Sequence, residues 1–591
     1  MSSVVMDSDD ELDIVQLLTK RRELTQALLD SPYDLILYLK RAIVYSDLGY
    51  PDLAAGDGYR ALLLCDEVRD EDFEYHDQAL SALRTHIQEN SELPILLRQH
   101  GADHVDLHGG VVAMDLDGGV GDTTVANLVH RASIRCYQIL SISLLLCGSL
   151  KSALDFCTRG LATDHNDEEL LQAKEYILEM GRRKLKSSDV DINDLPDQGL
   201  ARREVYPWND HEPDRYSDET LRFLNKELSA VSSNCEVKAT ELPTLLDGST
   251  GSSDTDRTSI NSVTTNLQLG VFAKRDIAPG EMVLDEYSVL TANNRLKDTL
   301  CDACSTELPP LASDSGVVGC PDCDDIMFCN EECLGRAQES YHPAVCDMDI
   351  DAIGKDPDPK ESPNALYLLL LARSFAMAAT QECHPLDLKE VKYIWGDFLP
   401  SAANAFPTTP RGSAGPPPIW TLPFSFAANI SGPLHVLEKM DIDIYASIAN
   451  YDLWIFNTLY SKFRGTASAR VSLRDGRPEV AAVHPLWCLA NHDCDPNVQW
   501  EWGGRMRLWT REKRYDGRPG GIKSGEEILN HYCDIDLKVQ DRREWANGSL
   551  GGWCMCNRCK RESAEEDEKK RLNGHDAELE QEGIEEHDML N

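Results

Sequence analysis

The chain has 591 residues, of which 42% are hydrophobic and 27% charged, and its 101 Asp+Glu against 58 Lys+Arg give a net charge of −43. That length implies three or four folding units at roughly 150 residues each. The acidic balance argues against nucleic acid, because phosphate backbones require concentrated positive charge, and makes a basic peptide the natural electrostatic partner. Whether the acid lines a cleft or solvates the surface stays open.

The first residues, MSSVVMDSDDELDI, have neither the basic start nor the apolar core of a secretory signal. An apolar run from Leu366 to Ala372 stops at Arg373, far short of the roughly 20 residues that span a bilayer. These features predict a soluble chain without a membrane partner, located in the cytoplasm, the nucleus or both. Nineteen cysteines in such a chain point to reduced thiols and metal rather than disulfides.

Helical periodicity begins at Leu12, Val15, Leu17, Leu18, Leu24, Ala27 and Leu28. From Tyr38 to Asp66, Tyr38, Ala42, Tyr45, Gly49, Ala54 and Ala61 resemble one tetratricopeptide (TPR) hairpin, with small residues where paired helices approach. A weaker copy runs through Tyr137, Gly148, Ala153 and Gly160. A generic helical hairpin domain is the alternative. Between the copies, GADHVDLHGGVVAMDLDGGVGD reads as an insertion or loop. Helical patterning continues from Glu168 to Lys186, and Arg182-Arg183-Lys184-Leu185-Lys186 suits a helix C-terminus better than a nuclear address. A polar connector with Tyr206-Pro207-Trp208-Asn209 follows.

Cys235 to Thr240 reads as a strand, DGSTGSSDTDRTSINS as a disordered insertion, and Leu269 to Glu281 as a second strand ending in a Pro279-Gly280 turn, followed by the strand-like Met282 to Leu290. Next come Cys301-x2-Cys304, Cys320-x2-Cys323, Cys329-x3-Cys333 and His342-x3-Cys346. Eight soft ligands with chelating spacings predict two tetrahedral zinc sites. Their order resembles the MYND zinc finger, whose interleaving implies Cys301, Cys304, Cys329 and Cys333 on one ion and Cys320, Cys323, His342 and Cys346 on the other. Metal should supply the folding energy of so short a segment. Such fingers often accept proline-rich partners, and a purely structural finger is equally compatible.

Helical patterning resumes in Ala365 to Thr380, Leu386 to Phe398 and Leu434 to Phe463, with TTPRGSAGPPPIW between as an extended loop. Asn457 interrupts the apolar run Leu453 to Tyr460, so it is either a satisfied core amide or a ligand contact. Then come Asn491-His492-Asp493-Cys494-Asp495-Pro496-Asn497, Glu527-Ile528-Leu529-Asn530-His531-Tyr532 and Trp553-Cys554-Met555-Cys556-Asn557-Arg558-Cys559.

These three motifs, in this order, resemble SET-domain protein methyltransferases. With the MYND-like cysteines inserted after the first strands, the chain resembles the SET-and-MYND (SMYD) family over residues 234–560, and the TPR-like start is similar to that of TPR-bearing fungal relatives. The resemblance implies an α+β multidomain protein: a helical TPR-like region (1–186), a connector (187–233) and the first part of the SET domain (234–300, with a disordered insert at 246–262). A MYND-type finger (301–346), a helical insert (347–480), the core SET domain (481–535) and a post-SET zinc element (536–560) complete it; the acidic residues 561–591, poor in large apolar side chains, read as a disordered or fraying helical tail.

By the same resemblance the activity is S-adenosylmethionine-dependent methylation of a lysine on a histone or another protein. Tyr532 is then catalytic, and Gly270, Asn457, Asn491, His492, Tyr532 and Trp553 contact the cofactor. Cys494 joins Cys554, Cys556 and Cys559 on a third zinc. Two departures stand out: Gln268 replaces the first glycine of a G-x-G turn, and Gly551-Gly552 stand where relatives often carry an aromatic. They favour the alternative, a weak or inactive SET scaffold recruiting proline-rich or chaperone-type partners through its MYND and TPR regions. Substrate identity, the number of methyls transferred and the oligomeric state are not set by these motifs.

Overall fold

A computed structural model describes residues 14–89, 122–243, 265–295, 299–310, 316–323, 326–350, 353–355, 357, 362–396, 421–472, 475–550 and 553–569. The insertions expected at 101–122 (apart from Asp122) and 246–262, the proline-rich stretch 408–420 and the Gly551-Gly552 pair lie outside these residues. The chain divides into two compact units. The first holds the described residues up to Tyr206, a short piece beginning at Met348 and the segment ending at Tyr460; the second holds the rest.

In the first unit seven helices follow one another: α1 (Ile14–Asp30), α2 (Leu35–Asp47), α3 (Pro51–Arg69), α4 (His76–Glu89), α5 (Asp122–Cys147), α6 (Leu150–Thr163) and α7 (Glu168–Leu185). Local chemistry sets their ends. Asp34 caps α2 by accepting the Ile36 N–H at 2.8 Å, and Asp167 caps α7 through the Leu170 N–H at 2.9 Å. Pro51 opens α3 at a position where no N–H is needed. Gly49, at φ +77°, turns the chain from α2 into α3. Tyr38, Ala42 and Tyr45 on α2 and Ala54 and Ala61 on α3 are all buried. In the second hairpin a Cβ on Gly160 would sit 2.7 Å from that of Tyr137, so glycine lets α5 and α6 approach. Arg182, Arg183 and Lys184 occupy the last turn of α7, where the helix dipole favours positive charge.

The connector is more ordered than its composition suggests. Gly199–Arg202 pairs antiparallel with Thr421–Phe424, and Asp218–Val231 is a helix capped by Ser217. Residues 347–480, expected as one helical insert, are divided between the units: Ser362–Thr380 goes with the second, while residues 421–460 go with the first.

An ionic cluster lies at the heart of the first unit. Arg41 forms a fork on Asp57, with both N–O distances 2.7 Å. It also meets Asp452 at 3.1 Å, and Arg60 reaches the same carboxylate at 3.2 Å. All four side chains are buried. Burial pushes the Asp452 carboxyl up, but Arg41 and Arg60 outweigh it and hold the group below the usual carboxylate range. Breaking a buried pair by removing one partner leaves an uncompensated charge, costing about 3–5 kcal/mol.

The second unit mixes helices with short sheets. Val498–Trp502, Met506–Thr510 and Met282–Glu286 form an antiparallel sheet in that order. Cys235–Pro243 pairs antiparallel with Thr265–Ala273. Thr291–Asn293, Pro478–Ala482 and Ser468–Val471 form a third sheet with Pro478–Ala482 in the centre, and the helix Ser362–Thr380 packs against it. Val237, Leu269, Val271, Val283, Val498, Leu508 and Ile528 share one buried core. A helix over 557–569 carries the chain nine residues into the stretch expected as a disordered or fraying helical tail; the remainder of that stretch lies outside the described residues. Among the described residues no helix is long and apolar enough to cross a membrane.

Asp452→Asn is expected to destabilise the first unit by about 3–5 kcal/mol, read as a lowered denaturant midpoint of its helical transition. An unchanged midpoint would show that the cluster adds no net stability.

Candidate active site and metal centres

Two short segments of the second unit lie side by side. Asn530 N–H donates to the Asn491 carbonyl at 2.8 Å, and Asp493 N–H to the Asn530 carbonyl at 2.8 Å. Asn497 clamps the pairing. Its Nδ2 donates to the Glu527 carbonyl at 2.7 Å, and its Oδ1 accepts the Leu529 N–H at 2.7 Å. The strand Thr265–Ala273 joins on, with Ile528 N–H donating to the Val271 carbonyl at 2.7 Å.

Gly270 lies on that strand against a polar dyad. Asn491 Nδ2 donates to Glu527 Oε1 at 2.7 Å and to the Leu269 carbonyl at 3.0 Å. A Cβ at Gly270 would stand 2.5 Å from Glu527 Oε1 and 3.3 Å from Asn491 Nδ2, so the close approach requires glycine. Burial pushes the Glu527 carboxyl up, opposed by the Asn491 hydrogen bond. Gln268, half-buried and in register with Thr240, falls two residues away on the strand and therefore on the face of Gly270.

Tyr532 is fixed at both ends. Its hydroxyl donates to the Ala490 carbonyl at 2.9 Å, and its N–H donates to His492 Nδ1 at 3.0 Å. The ring lies 5.2 Å from that of His492 and 6.4 Å from that of Trp487. Trp487 is itself held, because the Leu486 and Trp487 N–H groups donate to the two oxygens of buried Glu286 at 3.0 and 2.8 Å. Burial pushes that carboxyl up to about 7.

Three groups of soft ligands converge within 4.8 Å: Cys301, Cys304, Cys329 and Cys333; Cys320, Cys323, His342 and Cys346; and Cys494, Cys554, Cys556 and Cys559. A tetrahedral zinc with bonds of about 2.3 Å puts its sulfurs roughly 3.8 Å apart. The Cys304–Cys329, Cys320–Cys346 and Cys494–Cys554 separations are each 3.8 Å, so each group fits one ion. At the third group, Arg542 donates to Cys559 Sγ at 3.6 Å, Arg543 to the Cys554 carbonyl at 3.1 Å and Arg558 to the Cys494 carbonyl at 2.7 Å. These buried arginines would offset the net negative charge of four thiolates around a divalent ion. His492 links this group to Tyr532. Its Nδ1 accepts a hydrogen bond, so the proton sits on Nε2, 3.3 Å from Cys494 Sγ, and donates to the sulfur.

His211, His384 and Asp387 also lie close together, but the two rings stack 3.7 Å apart at 6°. Their in-plane lone pairs run parallel rather than converging, and Asp387 already receives His211 at 2.8 Å and Lys392 at 2.9 Å. That arrangement is an ion-pair cluster.

Two expected residues remain, Trp553 and Asn457. Trp553 is 49% exposed, with the Arg543 guanidinium 5.4 Å from its ring centroid. Asn457 belongs to the first unit, where its Nδ2 donates to Asp52 at 2.7 Å and its Oδ1 accepts Asn429 Nδ2 at 3.1 Å. Burial pushes Asp52 up to about 6. Sequence reasoning did not single out Glu286, Trp487 or Cys533, and it quoted Glu527 without a role. Only Glu527 and Cys533 carried a signal, by adjacency to the Tyr532 motif.

The SET domain family matches residues 268–533. Over these residues the chain is similar to SET-domain proteins. The match begins at Gln268 and ends at Cys533, enclosing Gly270, the Asn491–Asn497 segment, Tyr532 and the first two ligand groups. Histone-lysine N-methyltransferase SET5 of Yarrowia lipolytica is 39% identical over 323 residues, covering 52% of this chain and 64% of that protein. N-lysine methyltransferase SMYD2 of Gallus gallus is 24% identical over 321 residues, 51% of this chain and 59% of that one. The Schizosaccharomyces pombe set5 histone-lysine N-methyltransferase is 35% identical over 69 residues, 12% of this chain and 20% of its own length. The chain thus spans less than two thirds of the length of each of these relatives.

Asn497→Ala removes both clamp bonds at once. The loss is expected to be about 2 kcal/mol, read as roughly thirtyfold faster hydrogen exchange at the Leu529 amide. Unchanged protection there would contradict the clamp.

Proposed function

We propose that the chain is an S-adenosylmethionine-dependent protein-lysine N-methyltransferase acting on a lysine in a basic segment of a histone or another protein. The observation that carries this reading is the Tyr532 hydroxyl, pinned by the Ala490 carbonyl beside the Asn491–Glu527–Gly270 junction of a SET domain. Similarity to relatives named as lysine methyltransferases supports it, and the net charge of −43 suits a basic acceptor.

When bound, S-adenosylmethionine supplies an electrophilic methyl group. The chain's residues do the rest by position. Gly270 keeps its face of the strand free of a side chain, Asn491 and the His492 backbone present polar groups to the cofactor, and Trp553 offers an exposed ring for the adenine. Tyr532 orients the neutral lysine amine with its hydroxyl, while its ring and those of Trp487 and His492 wall the acceptor side. Fixing the phenol through Ala490 matters because a misplacement of about 1 Å costs on the order of 100-fold in rate. Asn457 enters this reading as a cofactor contact by resemblance alone; its two bonds in the first unit are those of a core amide.

In this reading each ligand group holds one zinc, three in all. Cys301, Cys304, Cys329 and Cys333 with Cys320, Cys323, His342 and Cys346 make a MYND-type finger, and Cys494, Cys554, Cys556 and Cys559 tie the post-SET element to the active site. The N-terminal helices act as a TPR-like region, and with the finger they recruit proline-rich or chaperone-type protein partners in the cytoplasm or nucleus. Gln268 supports a second reading, a binding scaffold with a weakened cofactor site, because its side chain shares the face that Gly270 keeps clear.

Tritiated methyl transfer from S-adenosylmethionine into a cell lysate separates the two. Wild type is expected to label protein, and Tyr532→Phe to label at least about 100-fold less with its zinc content intact. Equal labelling by the variant would remove Tyr532 from the catalytic role, and absence of labelling by zinc-replete wild type would favour the scaffold.

A further inference from the structure

Glu286 ends the strand Met282–Glu286 and is 4% exposed. Its two carboxyl oxygens accept the Leu486 and Trp487 N–H groups at 3.0 and 2.8 Å, and among the described residues no lysine or arginine pairs with it. An ionised carboxyl offers an acceptor to both donors at once, whereas a glutamine would turn its amide N–H toward one of them and a protonated carboxyl its O–H. Burying a carboxylate without a counter-charge is costly, so the clamp keeps a charge where the core would otherwise exclude it.

The bonds beyond this clamp lead to the phenol. The Trp487 carbonyl accepts the Ala490 N–H at 3.0 Å, and the Ala490 carbonyl accepts the Tyr532 hydroxyl at 2.9 Å. The buried Trp487 ring lies 6.4 Å from that of Tyr532. One carboxyl therefore holds the turn that supplies both the acceptor of the Tyr532 hydroxyl and a ring beside it. Asn491, next along the chain, is tied separately to Glu527 at 2.7 Å and to the Leu269 carbonyl at 3.0 Å.

We propose that Glu286 is a positioning residue for methyl transfer, whose carboxylate sets where the Tyr532 hydroxyl stands by clamping residues 486–490. The proposal rests on the methyltransferase activity proposed for the chain. Protonation would turn one oxygen from acceptor to donor and release one of the two N–H groups. Burial raises the carboxyl, the two N–H groups lower it and the charge of Glu390 raises it again, to about 7. Glu390, on the short helix Lys389–Lys392, meets Lys389 at 3.8 Å. Cys488 in the turn is held as a neutral thiol by burial, and Met506, opposite Glu286 in the sheet, carries no charge. The carboxylate, and with it the full clamp, prevails above pH 7 and is lost as pH falls through that value.

The rate of tritiated methyl transfer into a cell lysate at saturating S-adenosylmethionine, by the full chain as wild type and as Glu286→Gln, tests this. The variant is expected to lose roughly 10- to 100-fold in rate above pH 7, with its zinc content and its S-adenosylmethionine Kd unchanged. Both proteins meet the same lysine ionisation, so the ratio of their rates isolates the clamp and is expected to fall toward one below pH 7. A ratio that stays constant with pH, or a loss of rate matched by weaker cofactor binding, would overturn the positioning role. Should the variant fail to fold, wild type is scored alone by hydrogen exchange at the Trp487 amide, corrected for the intrinsic pH dependence of exchange. Protection there is expected to drop as pH falls through about 7, and unchanged protection would overturn the proposal. Absence of transfer by wild type would instead overturn the methyltransferase reading on which the proposal rests.

Discussion

The second unit depends on Asn497. Its carboxamide donates to one backbone group and accepts from another, on residues 30 and 32 positions away, and so keeps two irregular segments in register without a sheet. The candidate cofactor and acceptor residues are strung along those segments: Asn491 and Glu527 against Gly270, His492 against Tyr532, Cys494 against the C-terminal cysteines. A regular strand pair would satisfy the same backbone groups but would alternate its side chains to opposite faces. The irregular crossing instead turns carboxamide, imidazole, thiol and phenol toward a common region.

From that crossing a chain of contacts runs from metal to phenol. The Cys494 sulfur accepts from His492, and His492 accepts from the Tyr532 backbone. Three arginines, Arg542, Arg543 and Arg558, close around the same thiols. Such outer partners fix tautomer and ring orientation, so a zinc bound here would hold a structural tie and also set where the proposed catalytic hydroxyl stands. Glu286 does the corresponding work for Trp487 by taking two backbone N–H groups at once.

How much of this was legible depended on sequence distance. Candidate metal ligands announce themselves where they come in closely spaced pairs, and the twelve named side chains fall into three groups; Cys494, 60 positions from Cys554, was legible only as a motif member. Tyr532 and Asn491 were legible as motif members. Glu286 and Trp487 lie 201 positions apart in the contact that matters, and no local period encodes that. The same holds for Arg41 with Asp452, whose bond gathers part of the helical insert into the unit of the N-terminal helices. Asn457 shows the limit from the other side: an amide in an apolar run signals that a partner exists, and the fold supplies Asp52 and Asn429.

The central claim is that the junction of Gly270, Asn491 and Tyr532 forms a working cofactor site despite Gln268. Titration calorimetry of S-adenosylmethionine into zinc-replete protein tests it most directly. The account predicts saturable binding at one site per chain, lost in Gly270→Val, whose side chain would collide with Glu527 and Asn491. Absence of binding by the zinc-replete wild type, or undiminished binding by Gly270→Val, would contradict it.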